Sequence, residues 1–515
     1  MTPDSGRAPS LDGPARLAGV VAAAVALATT ELTRAVWGDA PSLVVAVGDV
    51  FVDGLPGDLT RTVIAAIGTA DKPALLLGIV AVSLAIGAAP GRGALRRRRT
   101  GDVVFAAFAL VGALAGMRAP LVSDAGAVLA AVLGGVAGAV TLRLLLGTVE
   151  RWATPAYPGG ADAGRRQFLV FAGAIGGVAA AVGLVGRSLA LGRTVESARR
   201  DVVLPRVTGG TRPTAADAGL DVEGITPLVT RNEDFYRIDT ALSVPQVDPA
   251  GWTLTVDGLV DEPYELTFAE LLSLPLVERE VTIQCVSNEV GGDLVGNARW
   301  LGVPLRAILR RAGVQDGATQ VMGHSVDGFT AGFPTELLDD DDDRTALVAV
   351  GMNGEPLPLE HGFPARLIVA GLYGYVSATK WLERIELTTL DAEGYWIPRG
   401  WSQEGPIKTM CRIDTPRSGV AAGTVPVAGV AWAPTRGITK VEVQVDDGPW
   451  EEARLGPGTN DATWRQWVYD WRPTRGRYRL RARATDGTGE TQTEDVAPPA
   501  PDGATGYPTR TVTVE

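Results

Sequence analysis

One sulfur at the end of a strand is the group in this sequence best placed to do chemistry. In Val281-Thr282-Ile283-Gln284-Cys285-Val286-Ser287-Asn288 a β-branched run reads as a buried strand, and the small polar residues after it suit a turn. A thiolate at such a mouth can serve as a soft metal ligand or as a nucleophile. The 515-residue chain has two cysteines and two histidines. That is too few for a tetrahedral zinc site, an iron–sulfur cluster or a disulfide scaffold. Cysteine counting leaves one bland alternative open, a disulfide between Cys285 and Cys411. The net charge of −12 and the pI of about 4.9 argue against nucleic acid as a partner.

The elements that must carry this sulfur fall into regions of different composition. Most of the apolar excess lies before residue 192, where runs of bilayer length occur at Arg16–Trp37, Pro73–Ala89, Val103–Met117, Ser123–Leu146 and Phe168–Leu191. These predict about five transmembrane helices. Leu43–Phe51 is apolar but too short to span, so residues 41–71 read as an exposed loop or interfacial segment. Arg92 and Arg96–Arg99 lie between the second and third runs, and Arg151, Arg165 and Arg166 between the fourth and fifth. Placing both loops in the cytoplasm requires an inside N-terminus, consistent with Arg7 and Arg16, and puts everything after Leu191 outside. Gly164-Arg165-Arg166-Gln167-Phe168-Leu169 reads either as a twin-arginine export signal or as an ordinary basic flank. The region contains no histidine, so it cannot hold a haem between two histidines; it reads as an anchor.

Residues 193–225 are polar, with Pro205, Gly209, Gly210 and Pro213, and read as a linker. Short β runs then alternate with helical pieces such as Phe268–Ser273 and Leu305–Ala312, an α+β pattern over residues 226–405. Several ordered segments there resemble the sulfite oxidase family of molybdenum enzymes. The cysteine stretch matches its Q-C-x-x-N pattern. Asn232-Glu233-Asp234-Phe235-Tyr236-Arg237 resembles its opening segment, and Ala298-Arg299-Trp300-Leu301-Gly302-Val303-Pro304-Leu305 follows the cysteine at the family's distance. The blocks Met352–Arg366 and Gly374–Leu382 complete the likeness. The resemblance implies a molybdopterin-dependent oxidoreductase that binds Mo-molybdopterin, with molybdenum held by Cys285. It implies cofactor contacts from Asn232, Phe235, Tyr236, Ser325, His361, Arg366, Ser377, Thr379 and Lys380, and catalytic roles for Cys285, Arg237, Arg299 and Arg465. Arginine suits forked contacts with phosphate, lysine a point-charge contact. For His324 an exposed capping role stands beside a functional one.

The pattern also departs from the family's sulfite-oxidising members. Glu289 and Val290 stand where those carry basic residues, Phe329 where they carry a tyrosine, and Arg237-Ile238-Asp239 replaces their R-N-H triplet. Less positive charge weakens the attraction for a dianion, which makes a neutral sulfoxide or N-oxide a competing small-molecule substrate. Asp339–Asp343 reads as a solvated loop, or as a docking patch for a soluble electron carrier such as a basic cytochrome. From residue 406 to 515 the alternation is that of strands, with Asp446-Asp447-Gly448 and Asp486-Gly487 as hairpin signals. This predicts an all-β immunoglobulin-like sandwich, with Trp464, Trp467 and Trp471 as core and interface anchors and Cys411 as a small buried hydrophobe. The region resembles the family's dimerisation domain, which implies a homodimer. The whole reads as a multi-domain protein: residues 1–192 all-α and transmembrane, 193–225 linking, 226–405 an α+β molybdopterin-binding domain, and 406–515 the sandwich. The expectation is a multi-pass membrane enzyme with its catalytic domain on the extracytoplasmic side.

Overall fold

A computed structural model of the chain describes residues 11–54, 71–152, 160–192, 195–207, 219–338, 344–417 and 419–515. The chain divides into two compact units, one of residues 1–194 with 241–243, the other of residues 195–240 with 244–515.

The first unit is helical: α1 (Asp12–Val36), α2 (Leu43–Asp53), α3 (Asp71–Arg96), α4 (Arg99–Gly116), α5 (Asp124–Trp152) and α6 (Gly160–Gly192). All but α2 are long and apolar enough, by length and composition, to cross a membrane. Small residues set the packing. A Cβ added at Gly19 of α1 would lie 2.0 Å from the Gly87 carbonyl of α3, so the two backbones touch where only glycine permits it. Ala15, Ala18, Ala22, Phe105, Leu142, Leu145, Phe168 and Ala172 form the shared interior. Several polar groups among these helices are paired. Arg143 donates twice to Asp102, at 3.0 and 2.6 Å, Arg98 donates to Glu150 at 2.7 Å, and Ser42 Oγ donates to Glu31 at 2.6 Å. Of the two readings for residues 41–71, exposed loop or interfacial segment, the loop is corrected in its first part. Leu43–Asp53 is a helix capped by Ser42, because Leu43 is buried against α4 beside Gly112 and Gly116. A short apolar segment folds when it has a face to cover. Residues 55–70 lie outside the described residues.

The second unit begins within the polar stretch. Helix α7 (Glu196–Asp201) bonds through Arg199 to the Pro356 carbonyl at 2.8 Å, while residues 208–218 of that stretch lie outside the described residues. Two sheets follow. One has the order β2-β1-β10-β5-β6, built from β1 (Thr253–Gly258), β2 (Tyr264–Thr267), β5 (Gln320–Ser325), β6 (Thr330–Pro334) and β10 (Leu382–Thr388), with β1 and β10 parallel. The other runs β3 (Val277–Gln284), β4 (Val295–Pro304), β7 (Ala346–Met352) and β8 (Glu355–Pro356), with β9 (Arg366–Val369) also paired to β7. Helices α8 (Phe268–Ser273), α9 (Leu305–Ala312) and α10 (Gly374–Ser377) are short. Helix α8 starts where it does because Thr267 and Glu270 form a reciprocal capping box. One mixed and one antiparallel sheet with interleaved helices are the α+β arrangement expected for this region. Asp339–Asp343 lies outside the described residues.

The C-terminal part holds two antiparallel four-stranded sheets. Their orders are β11-β12-β16-β15 (β11 Met410–Thr415, β12 Val425–Trp432, β16 Arg465–Trp471, β15 Arg454–Leu455) and β14-β13-β17-β18 (β14 Trp450–Glu452, β13 Ile438–Val445, β17 Gly476–Asp486, β18 Thr509–Val514). Both contribute to one core of Cys411, Ile413, Val427, Val441, Trp467, Leu480 and Val512. Fully burying such an aliphatic side chain contributes about 1.5–3 kcal/mol. Cys411 and Cys285 are both buried free thiols, which removes the disulfide alternative.

Candidate functional site

Strand β3 explains the position of the lone sulfur. Val281 and Ile283 point into a core with Phe235, Trp300, Leu347 and Ile368, and the alternation carries Cys285 to the same side just past the strand's end. The loop that follows is tied back on itself. Cys285 N–H donates to the Leu294 carbonyl at 2.9 Å, Asn288 N–H to the Cys285 carbonyl at 3.1 Å, and Leu294 N–H to Asn288 Oδ1 at 2.9 Å. So the buried Asn288 of the Q-C-x-x-N pattern shapes the turn. On the opposite face Gln284 is held by the C-terminal sheets: its amide donates to Met410 Sδ at 3.3 Å and accepts from Trp432 Nε1 at 2.6 Å. Burial pushes the Cys285 thiol pKa up, opposed by Ser287 and by the charge of Lys380.

Two strand-like segments assemble a cationic group beside it. Leu367 N–H donates to the Thr379 carbonyl and Leu382 N–H to the Ala365 carbonyl, each at 2.9 Å. This pairing sets His361, Arg366 and Lys380 next to one another. The approach is close because Gly362 has φ +104°, and a Cβ there would lie 2.9 Å from the Cβ of Lys380.

His361 is buried, with Nε2 3.0 Å from the Asn232 carbonyl. A carbonyl can only accept, so Nε2 carries the hydrogen. Burial first, then the charges of Arg366 and Lys380, push the imidazole pKa down to about 3. The ring is therefore neutral, and Nδ1 is left as an acceptor.

Arg366 is 3% exposed and donates to the His361 carbonyl at 3.0 Å. Its Nε has no hydrogen-bond partner, and no carboxylate pairs with it among the described residues. Burial lowers its pKa to about 10. Lys380 donates to Asp239 Oδ2 and to the Glu360 carbonyl, both at 3.0 Å; burial, opposed by Asp239, brings its pKa down to about 8. A buried guanidinium with an orphaned nitrogen is costly unless an anion completes it. This arrangement, next to a buried free thiol, fits a ligand that brings both a soft metal and negative charge.

The Asn232–Arg237 segment closes over the group. Asn232 is fixed by Asn353, Glu355 and the Met352 carbonyl. Phe235 stacks on Tyr236 and lies edge-on to His361 and Trp300, with Gly296 leaving room for its ring. Burial and the nearby Cys285 raise the Tyr236 hydroxyl pKa well above its ordinary value. Arg237 lies at the rim, exposed, with Nε 2.9 Å from Asp239 Oδ2. Ser377, Thr379 and Ser325 are buried. The hydroxyls of Ser377 and Thr379 donate to backbone carbonyls, and that of Ser325 accepts from Asp327 N–H. Their segments adjoin Lys380, but those hydroxyls already have partners.

Two expected residues are not brought here. Arg299 pairs across the ladder with Glu280, four residues and about 13 Å along β4 from Val295, the partner of Gln284. Arg465 donates to the carbonyls of Gly456 and Ile438 within the C-terminal sheets. His324 pairs with Glu386 at 2.8 Å, on the surface side of β5. Sequence reading missed Asp239 as a partner of Lys380 and Gln284 as a clamp. The altered R-N-H triplet was the available signal for the first; nothing local signalled the second.

The family of the oxidoreductase molybdopterin binding domain matches residues 241–396. The uncharacterized oxidoreductase YuiH of Bacillus subtilis (strain 168) is 39% identical over 158 residues, 31% of this chain and 76% of that protein. Mitochondrial sulfite oxidase of Mus musculus is 30% identical over 273 residues, 44% of this chain. The match spans 49% of the mouse enzyme's length. Among solved structures, the sulfane dehydrogenase SoxCD from Paracoccus pantotrophus aligns over 62% of this chain and 89% of its own, at 23% identity and a TM-score of 0.49.

Proposed function

This chain belongs to the sulfite oxidase family of molybdopterin-dependent oxidoreductases, and from that premise we propose that it transfers an oxygen atom to or from a small sulfur- or nitrogen-containing substrate. Its cofactor is Mo-molybdopterin. When bound, the cofactor supplies the two-electron change that accompanies oxygen-atom transfer and the single-electron steps that restore it.

The residues of the chain have separable tasks. Cys285 Sγ would hold the metal as its thiolate, the form that burial alone disfavours and that a bound cation would stabilise. Arg366 offers its unpartnered guanidinium nitrogen, and Lys380 its ammonium, to the anionic part of the cofactor. His361, with Nε2–H held by the Asn232 carbonyl, would offer Nδ1 as an acceptor toward the cofactor. Asn232, Phe235 and Tyr236 cover the group and exclude water; Arg237 stands at the opening. Ser325, Ser377 and Thr379 shape the wall beside Lys380. A neutral substrate such as a sulfoxide or N-oxide is favoured by one feature: Glu289 and Val290 supply no cation where the sulfite-oxidising members carry basic residues. The helices of residues 1–192 anchor the enzyme in a membrane with the catalytic domain extracytoplasmic. The C-terminal sheets form an immunoglobulin-like domain suited to a homodimer, and single electrons are exchanged with a soluble carrier such as a cytochrome.

The observation that carries this reading is the buried free thiol set beside an uncompensated buried arginine. Elemental analysis of the purified chain tests it. About one molybdenum per chain, lost in Cys285→Ser, is the expected result, because no other group in the cluster is a soft donor. A metal-free wild-type protein would leave a binding module that only shares the fold. Assay against sulfite and a panel of sulfoxides then fixes the substrate class.

A further inference from the structure

The altered opening triplet ends in Asp239, and its carboxylate is built into the cationic group. Oδ2 accepts from Lys380 Nζ at 3.0 Å and from Arg237 Nε at 2.9 Å. The Asp239 side chain is 3% exposed and that of Lys380 11%, whereas Arg237 is 42% exposed. The carboxylate therefore lies inside the site with the lysine, and the arginine covers it from the outer side. Among the described residues, Arg237, Arg366 and Lys380 bring positive charge to this group and Asp239 offsets part of it. Arg366 and Lys380 keep their charge for the cofactor. Arg237, the exposed cation at the opening, shares the buried Asp239 carboxylate with Lys380, and an incoming oxyanion must compete with that carboxylate.

We propose that Asp239 is a specificity-determining residue, a buried counter-ion that lowers the affinity of the opening for oxyanions and so favours neutral oxygen-atom donors. This rests on the functional reading given above and names its substrate class. Asp239 touches neither the reacting atoms nor the metal ligand; it acts through Lys380 and Arg237. Its effect is selective because Coulomb attraction scales with the charge of the ligand, while a neutral sulfoxide is held by shape and hydrogen bonds.

The test uses the full chain with its cofactor bound, in wild-type form and as Asp239→Asn and Asp239→Glu. Affinity for inorganic sulfate is measured calorimetrically and compared with affinity for dimethyl sulfoxide. At the effective dielectric of a partly shielded site, removing one charge several ångströms from a dianion strengthens binding by about tenfold or more. The expected result is that Asp239→Asn raises the ratio of sulfate to dimethyl sulfoxide affinity by about that factor. It also steepens the salt dependence of sulfate binding, and Asp239→Glu restores the wild-type ratio. An unchanged or lower ratio in Asp239→Asn at wild-type molybdenum content would overturn the proposal. Loss of molybdenum in Asp239→Asn would overturn it too, since Asp239 would then serve only to hold Lys380. A wild-type enzyme that turns over sulfite and no sulfoxide would refute the neutral-substrate reading, whereas the effect of Asp239 on sulfate affinity would still be read directly.

Discussion

The cradle beside Cys285 and the C-terminal sheets both bury charge, and they treat it in opposite ways. In the sheets, Asp486 is fully buried and surrounded by donors: Arg436 Nε at 2.8 Å, Thr409 Oγ1 and Thr488 Oγ1 at 2.7 Å, and the amides of Thr488 and Glu490. Burial pushes its pKa up, but Arg436 and the hydroxyls outweigh this and hold it well below the usual carboxylate range. Arg412 and Asp414 are matched in the same way at 2.7 Å. In the cradle, Arg366 has a carbonyl and an aromatic face but no anion, and its pKa falls. The contrast separates two purposes. For these groups, Asp486 and Arg412 are closed by the chain itself, whereas the Arg366 guanidinium is left open, at a cost in stability.

The sharpest way to break this comparison is to exchange one residue on each side. Arg366→Met should reduce molybdenum content to roughly a hundredth of wild type, the equivalent of about 3 kcal/mol for a charge-assisted contact. The stability of the cofactor-free chain should stay unchanged or rise by about 1 kcal/mol, because the charge it removes had no partner. Asp486→Asn should do the reverse: a loss of about 3 kcal/mol in urea unfolding with cofactor content retained. If both variants lost stability alike, the distinction would fail.

A smaller effect follows from His361. Its folded-state pKa lies near 3 and its unfolded value near 6.5, so in that window the unfolded chain binds more protons and stability falls as pH falls. The cofactor-free chain should lose about 2 kcal/mol between neutral pH and pH 5, and His361→Gln should lose about that much less. Urea midpoints at the two pH values measure it; equal acid sensitivity would show that the histidine is not held neutral.

The smallest effect sets the baseline. Arg479 and Asp447 pair at 2.6 Å in the C-terminal sheets, with Asp447 89% exposed. Asp447→Asn should change stability by less than about 0.5 kcal/mol, since solvent already screens the pair. A larger loss would mean that exposed pairs also hold these sheets.

Much of the site was legible because its chemistry is local. Cys285 stood out after a β-branched run, whereas His361, Arg366 and Lys380 were singled out by the resemblance of their segments to the family, and the chain folds those three next to one another. Arg299 was misplaced although a signal existed: it faces Glu280, which has the parity of Thr282 and Gln284, while Cys285 has that of Val281 and Ile283. Strand alternation sends those two sets to opposite faces. For Arg465 there was no such signal, because its carbonyl partners Gly456 and Ile438 are joined to it only by folding. Helix α2 was missed since its apolar length suits neither a span nor a loop, and only the neighbouring helix gives its buried face a purpose. The two C-terminal sheets were readable from alternation and hairpin dipeptides, which encode strand ends directly.

Gln284 stands one residue ahead of the buried Cys285 sulfur, and Met410 and Trp432 grip its amide from the far side. The boundary near residue 405 is thus a seam in composition but not in mechanics. Trimming the chain there would strand a polar group against bare hydrocarbon and loosen the peg from which the thiolate hangs. The terminal sheets act as a backstop for the Cys285 turn, so any partner that leans on them also leans on the geometry of the sulfur.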